Sequence, residues 1–500
     1  MERNPDRPNL LFIFTDEQRF DTLAAYGNSR IDMPNLNRLA ERSTVFERTY
    51  DTQPVCTPAR SSIMTGLTPH TNGCVRNNIP LDLNVPTIAE MVPTDGTDGY
   101  FTAYHGKWHL GDEIFAQHGF REWVSIEDMY RSHYREGRDR TLRSDYHHWL
   151  VERGIEPEDG STFTRYETAK LAEEFSKPAF LAENATRFFR ERSGDGKPFL
   201  LYVNFLEPHT PFFGPRNDQY SPEDVLIPPN FGNPPNAKQP LRQRINARQL
   251  LEEGHSDLPL VTEADWRKII ARYWGLCSQV DTHVGRILDA LAETGLDENT
   301  IVVFTSDHGE MMGSHRLMPK TMMFEESSRI PMLVLLPGQT EQHRVTTPVS
   351  QIDLVPTLLD LLNQPKPDHL EGESLADVIR LRKDGTEHRD VFIEWNGRNL
   401  GARVPEVKEA DLRPYERELG TPQEIARTRA AHQRTVVTPD GWKFSWDEFG
   451  EHELYHLSED PYETQNLAHD IAARGTMREL AERIKNWQKR TGDTVTLATF

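Results

Sequence analysis

Leu10-Leu11-Phe12-Ile13-Phe14-Thr15-Asp16-Glu17 is a run of five large apolar residues that ends abruptly in two acids. A strand that is apolar at every position has to be covered on both faces. That is the condition of a mainly parallel sheet flanked by helices. Similar runs occur at 101–104, 199–205, 301–305, 332–336 and 391–395. Between them lie helical patterns at 34–42 and 266–294, the second closed by Gly295. The alternation predicts an α/β fold with a large, mostly parallel sheet.

After residue 384 the pattern changes. Short strand-like runs at 391–395, 435–437, 442–446 and 453–457 are separated by turns, and an amphipathic helix follows near 477–491. This predicts a catalytic α/β domain over 1–384 and a smaller C-terminal α+β domain over 385–500 with an antiparallel sheet. The stretch 112–160, rich in charge and aromatics, and the stretch 221–254, rich in Pro and Asn, are read as irregular insertions over one edge of the large sheet.

The chain of 500 residues has a formal net charge of −21, which argues against nucleic acid or an anionic membrane as a partner. No apolar run approaches the roughly 20 residues needed to span a bilayer, and the N-terminus carries no apolar signal region. Three cysteines, Cys56, Cys74 and Cys277, make no disulfide framework. These features together predict a cytoplasmic protein. No symmetric apolar patch can be read, so the oligomeric state stays open.

In an open α/β sheet, ligands bind beyond the carboxyl ends of the strands. Here those ends are unusually polar. The first apolar run leads into Asp16-Glu17, and 301–305 leads into Ser306-Asp307-His308-Gly309. The run 199–205 leads into Glu207-Pro208-His209, and 101–104 into His105-Gly106-Lys107-Trp108-His109. Carboxylates from two strands with an imidazole suit a divalent cation. Arg60, Lys107, His109, His209, His308 and Lys320, if they converge, make a cationic pocket in an acidic protein, suited to sulfate or phosphate. Taken singly, acids at strand ends and surface lysines are ordinary features.

The sharpest signal is Cys56-Thr57-Pro58-Ala59-Arg60-Ser61-Ser62-Ile63-Met64-Thr65-Gly66. Pro58 suits the first position of a helix and Gly66 its end, which puts Cys56 at a helix N-terminus. There, free N–H groups and the helix dipole favour negative charge.

Cys-x-Pro-x-Arg followed by a short helix and Thr-Gly resembles the signature of type I sulfatases, in the alkaline phosphatase superfamily. The likeness continues through Thr15-Asp16-Glu17-Gln18-Arg19, Met33-Pro34-Asn35-Leu36, Gly106-Lys107-Trp108-His109-Leu110-Gly111, Pro208-His209-Thr210-Pro211 and Ser306-Asp307-His308-Gly309-Glu310. It extends to Ser350-Gln351-Ile352-Asp353-Leu354, Glu453-Leu454-Tyr455 and Asp460-Pro461-Tyr462-Glu463-Thr464, and so covers nearly the whole chain.

The resemblance implies an alkaline phosphatase-like fold and a sulfate-ester substrate. It implies that a formylglycine-generating or equivalent maturing enzyme oxidises Cys56 to Cα-formylglycine. One hydroxyl of the aldehyde hydrate attacks sulfur and displaces the alcohol; loss of the second hydroxyl's proton then expels sulfate and restores the aldehyde. By the same resemblance, Asp16, Glu17, Asp307 and His308 bind one divalent ion together with the modified Cys56. Arg60 and Lys107 orient the diol, His109 acts as its base, and His209 and Lys320 hold the sulfate and assist the leaving oxygen. Glu17 stands where a second Asp is usual, and His308 where Asn is common. The family implies Ca²⁺; imidazole keeps Mn²⁺ and Mg²⁺ open as alternatives.

Two other readings compete. One is a phosphonate monoester or phosphodiester hydrolase of the same superfamily, against which Lys107 and His109 stand. The other is an inactive binding protein on this fold, against which the intact set of polar strand ends stands. The substrate is read no further than a sulfated carbohydrate or a small aryl or alkyl sulfate. Arg76, Asn77, Asp145, His147, His148, Trp149, Trp395 and Arg398 are types that hold sugars, and equally types found in solvated loops.

Overall fold

The structure is a computed structural model and describes residues 7–96, 99–383, 389–397 and 406–500. Among the described residues nine strands make the large sheet: β1 (Asn9–Asp16), β2 (Thr44–Tyr50), β3 (Phe101–Gly106), β4 (Glu122–Ser125), β5 (Phe199–Pro208), β6 (Thr300–Ser306), β7 (Arg329–Leu335), β8 (His343–Val345) and β9 (Val349–Ser350). Their order is β4-β3-β5-β1-β6-β7-β2-β8, with β9 beside β2. The neighbours from β4 to β6 all run parallel, whereas β7 is antiparallel to both β6 and β2. The sheet is therefore mixed but mostly parallel.

Leu10 to Phe14 are all fully buried, as a strand covered on both faces requires. Leu11 and Ile13 face a core built on the helices Lys177–Arg192 and Glu263–Glu293. Leu10, Phe12 and Phe14 face the other core, which includes Ile63 and Met64 of the Cys56 helix and the helix Leu354–Leu361. Each such side chain contributes about 1.5–3 kcal/mol relative to exposure. That locks the register between β1 and β6, in which Thr15 lies opposite Ser306.

The smaller sheet is antiparallel, in the order β10 (Val391–Asn396), β11 (His432–Val437), β12 (Trp442–Asp447) and β13 (Glu453–His456). Phe444, Val436 and Leu454 pack under the helix Arg474–Thr491. On the opposite face, Ile393, Trp395 and Val437 pack on Tyr50, Met323 and Val55, the residue before Cys56. The boundary expected at 384/385 lies outside the described residues.

Two expectations need correction. The stretch 112–160 holds β4 and the helix Asp145–Glu152, and 221–254 holds the helix Leu241–Glu253. The second is mostly polar, with Leu241, Gln243 and Leu250 as its buried residues, so it lacks a broad apolar stripe. Its Arg, Gln and Glu are good helix formers. No helix among the described residues is long and apolar enough to cross a membrane.

Candidate active site

The carboxyl ends of four adjacent parallel strands, β3-β5-β1-β6, deliver Lys107 and His109, His209, Asp16 and Glu17, and Asp307 and His308. Gly106 allows the turn out of β3: its φ is +127°, and a Cβ there would stand 2.0 Å from the carbonyl oxygen of Asn204. The helix carrying the cysteine spans Cys56–Thr65, is buried throughout, and ends at Gly66 with φ +69°. It begins two residues earlier than Pro58 suggested. A proline is tolerated there because first-turn N–H groups have no partner within the helix. Cys56 is thus the first helical residue.

The side chains expected at the site come together. Cys56 Sγ lies 3.6 Å from Asp16 Oδ1, 3.4 Å from His308 Nε2 and 3.4 Å from Lys320 Nζ. Arg60 is fully buried and places Nη2 2.8 Å from Asp16 Oδ2 and Nε 3.0 Å from Asp307 Oδ2. Its Nη1 donates to the carbonyl of Lys107 and to Asn204 Oδ1. Lys107 Nζ sits 2.5 Å from Asp16 Oδ2. Glu17 Oε2 faces Lys320 Nζ at 2.9 Å and His209 Nε2 at 3.3 Å.

A divalent cation fits this arrangement. Donor atoms of Asp16, Cys56, Asp307 and His308 all lie within 4.8 Å of one another. His308 Nε2 is 3.7 Å from Asp16 Oδ1 and 3.6 Å from Asp307 Oδ1. Those are separations of neighbouring ligands on one ion, whose bonds run about 2.0–2.6 Å. His308 Nδ1 donates to the carbonyl of Gly309 at 2.9 Å, which turns the Nε2 lone pair inward. Glu17 Oε1 is buried and accepts no hydrogen bond among the described residues, and Asp307 Oδ2 faces Arg60 Nε. Glu17 stands at the edge, outside the four-donor group, although its carboxylate, Asp16 and His209 make a second cluster.

The electrostatics follow from burial and neighbours. Burial opposes ionisation of Cys56, yet Lys107, Lys320 and His308 hold its thiol well below the ordinary range. Burial pushes Asp307 up to about 6, helped by Asp16. Against burial, Asp307 raises His308 to about 9, so an ion held there would take the place of the Nε2 proton. Burial pulls His109 down to about 3. Its Nε2 donates to Asn78 Oδ1 at 2.9 Å, so its buried Nδ1 carries the lone pair.

Several residues at the site escaped the sequence reading. Asn78 holds His109, and Tyr130 stacks on the His109 ring at 4.1 Å. Arg165 places Nη1 3.5 Å from His209 Nδ1 and donates to Tyr130. Glu310 is fully buried, and burial and Glu17 hold its carboxyl well above the usual range. Asp51 is fully buried too, with neither oxygen hydrogen-bonded among the described residues.

Several residues suggested for sugar binding do structural work instead. Trp149 is in the core, Asp145 accepts from Ser125, and Asn77 accepts from the backbone of Thr57. Arg398 lies outside the described residues.

Residues 8–364 match the family model described as Sulfatase. The chain is 31% identical over 390 residues to an ulvan-active sulfatase of Formosa agariphila, covering 75% of this chain and 66% of that longer protein. It is 32% identical over 397 residues to an arylsulfatase of Clostridium perfringens, covering 75% and 79% of the two chains. In fold, the phosphonate monoester hydrolase of Silicibacter pomeroyi superposes with a TM-score of 0.75 at 23% identity, covering 97% of this chain and 96% of the other.

Proposed function

The chain belongs to the sulfatase family, hydrolases of sulfuric esters, and on that premise we propose that it cleaves the sulfate ester of a carbohydrate or of a small aryl or alkyl alcohol at the site around Cys56. The observation that carries the reading is the position of Cys56. It opens a buried helix and stands 3.4–3.6 Å from a carboxylate, an imidazole and an ammonium drawn from three other segments.

Asp16, Asp307 and His308 would hold the divalent cation beside residue 56, with Glu17 at its edge. When bound, that ion polarises a sulfate oxygen and favours an ionised hydroxyl at neutral pH. The Cys56 sulfur stands in for the aldehyde hydrate that the family forms there, which supplies the attacking hydroxyl. Arg60 and Lys107 brace Asp16 and add positive charge beside the nucleophile. His109, neutral and with the lone pair on Nδ1, takes the proton whose loss releases sulfate. His209 and Lys320, on the Glu17 side, hold the sulfate and protonate the departing alkoxide.

The competing reading is a phosphonate monoester hydrolase, an enzyme that shares this fold. The two readings separate on aldehyde-bearing enzyme given nitrophenyl sulfate and a nitrophenyl phosphonate monoester. A higher kcat/KM for the sulfate supports the sulfatase reading, and the reverse order overturns it.

A further inference from the structure

A cavity of about 760 Å³ lies next to the catalytic histidines, between the segment after β4 and the segment after β5. Met129, Phe163, Tyr166 and Pro211 give it an apolar wall, and Met129 and Tyr166 are exposed. Its charged lining is three arginines, Arg131, Arg140 and Arg165, against one acid, Asp128. Arg131 and Arg140 also brace the surrounding loop, through the carbonyls of Asp128 and Tyr134.

Arg165 joins this cavity to the chemistry. Its Nη1 is 3.5 Å from His209 Nδ1, and its Nη2 donates at 2.7 Å to the hydroxyl of Tyr130, whose ring covers His109. Thr210 and Pro211, the two residues after His209, line the same cavity. The cavity therefore begins at the residues that adjoin His209.

The charge here is unbalanced. Glu127 pairs with Arg165 Nε at 2.7 Å and also with Lys177 Nζ at 2.5 Å, so two cations share one carboxylate. Glu207, the next acid, is pushed up to about 7 by burial and neutralises them only in part near pH 7. Asp128, held by the backbone and hydroxyl of Ser144, keeps its charge but stands against Arg131, Arg140 and Arg165 in the lining. In a chain of net charge −21, this leaves a local excess of positive charge facing the cavity.

We propose that this cavity receives the alcohol portion of the ester, and that Arg165 selects alcohols carrying a second anionic group, a carboxylate or a further sulfate. The inference rests on the sulfatase reading for the direction in which the alcohol leaves. A quaternary ammonium alcohol would meet the arginine excess and be disfavoured.

The test uses aldehyde-bearing enzyme and three nitrophenyl sulfates matched in phenol acidity: unsubstituted, carboxylated and trimethylammonium-bearing. The parent should favour the carboxylated ester over the unsubstituted one by about tenfold in kcat/KM, the order of one charge-assisted contact after desolvation, with the cationic ester last. Arg165→Gln should bring the carboxylated-to-unsubstituted ratio close to one, and Arg165→Lys should restore part of it. A purely structural role would lower all three esters alike. Calorimetry of the same esters on Cys56→Ala reads binding without turnover, so it separates the two ideas. Tighter binding of the carboxylated ester with no sulfate hydrolysed by the parent would retain the cavity and discard the sulfatase reading. Equal or weaker binding of the carboxylated ester overturns the inference, as does a preference that survives in Arg165→Gln. Should that variant fail to fold, the parent's own order of esters decides.

Discussion

Lys320 Nζ lies 3.4 Å from Cys56 Sγ, across 264 positions of sequence. The same ammonium is 2.9 Å from Glu17 Oε2, which in turn faces His209. Lys320 and His209 therefore meet at Glu17, while Arg60 and Lys107 meet at Asp16. The division suggests one set of groups for the nucleophile and another for the leaving group.

That division predicts a leaving-group effect. A nitrophenolate departs without a proton, whereas a sugar or alkyl alkoxide needs one. His209→Ala should lower turnover of an alkyl or sugar sulfate about tenfold or more beyond its effect on nitrophenyl sulfate. A series of esters of increasing alcohol pKa measures this as a steeper dependence in the variant. An equal fall across the series would assign His209 to binding.

Removing a charged oxygen ligand should remove the ion. Asp16→Asn and Asp307→Asn are each expected to lose most bound divalent metal and most activity. Glu17→Gln should retain more of both, because Glu17 stands outside the four-donor group. Elemental analysis of the purified variants gives the ranking, and full occupancy in Asp307→Asn would contradict the proposed ligand set.

Glu207 predicts a pH-dependent stability. Burial raises its carboxyl from an ordinary 4.5 to about 7, so folding favours its protonated form. That contribution is complete below about pH 4.5 and is lost as pH rises through 7. Glu207→Gln carries no such penalty. It should match the parent near pH 4.5 and exceed it by about 1–3 kcal/mol at pH 8. Denaturant melts at the two pH values check the sign; a variant weaker than the parent at pH 8 would contradict it.

Lys443 links the two sheets. From β12 it reaches Glu325 at 2.9 Å and Glu463 at 3.0 Å, all three side chains being buried. Lys443→Met leaves Glu463 without its cation and Glu325 with Arg329 at 3.6 Å, and should cost about 3–5 kcal/mol. Lys443→Met combined with Glu325→Gln should recover part of that loss, read as a shift of the denaturant midpoint.

The large sheet and the strand-end chemistry are legible in the sequence because a short all-apolar run ending in acids fits a strand covered on both faces and little else. β2, with polar Glu47, Arg48 and Thr49 inside it, escapes because its apolar run is short. Lys320 can be matched only by loop spacing; its position depends on the turn before the helix Glu325–Ser328. Arg165, Tyr130 and Asn78 escape for a different reason. They come from loops and a one-turn helix, where no period marks which side chains face inward. Glu17 is expected among the ligands beside its neighbour Asp16, but its left-handed backbone, φ +70°, turns its carboxylate toward Lys320 and His209.

The central claim, that sulfate esters are hydrolysed at an aldehyde made from Cys56, is tested most directly by mass spectrometry of the peptide containing Cys56. Preparations would be matured to different extents and each assayed for sulfate release from nitrophenyl sulfate. Turnover should rise in proportion to the fraction in which the thiol has become an aldehyde and vanish where there is none; Cys56→Ala and Cys56→Ser should fall by several orders of magnitude. Full activity in protein whose Cys56 is entirely an unmodified thiol would contradict the account.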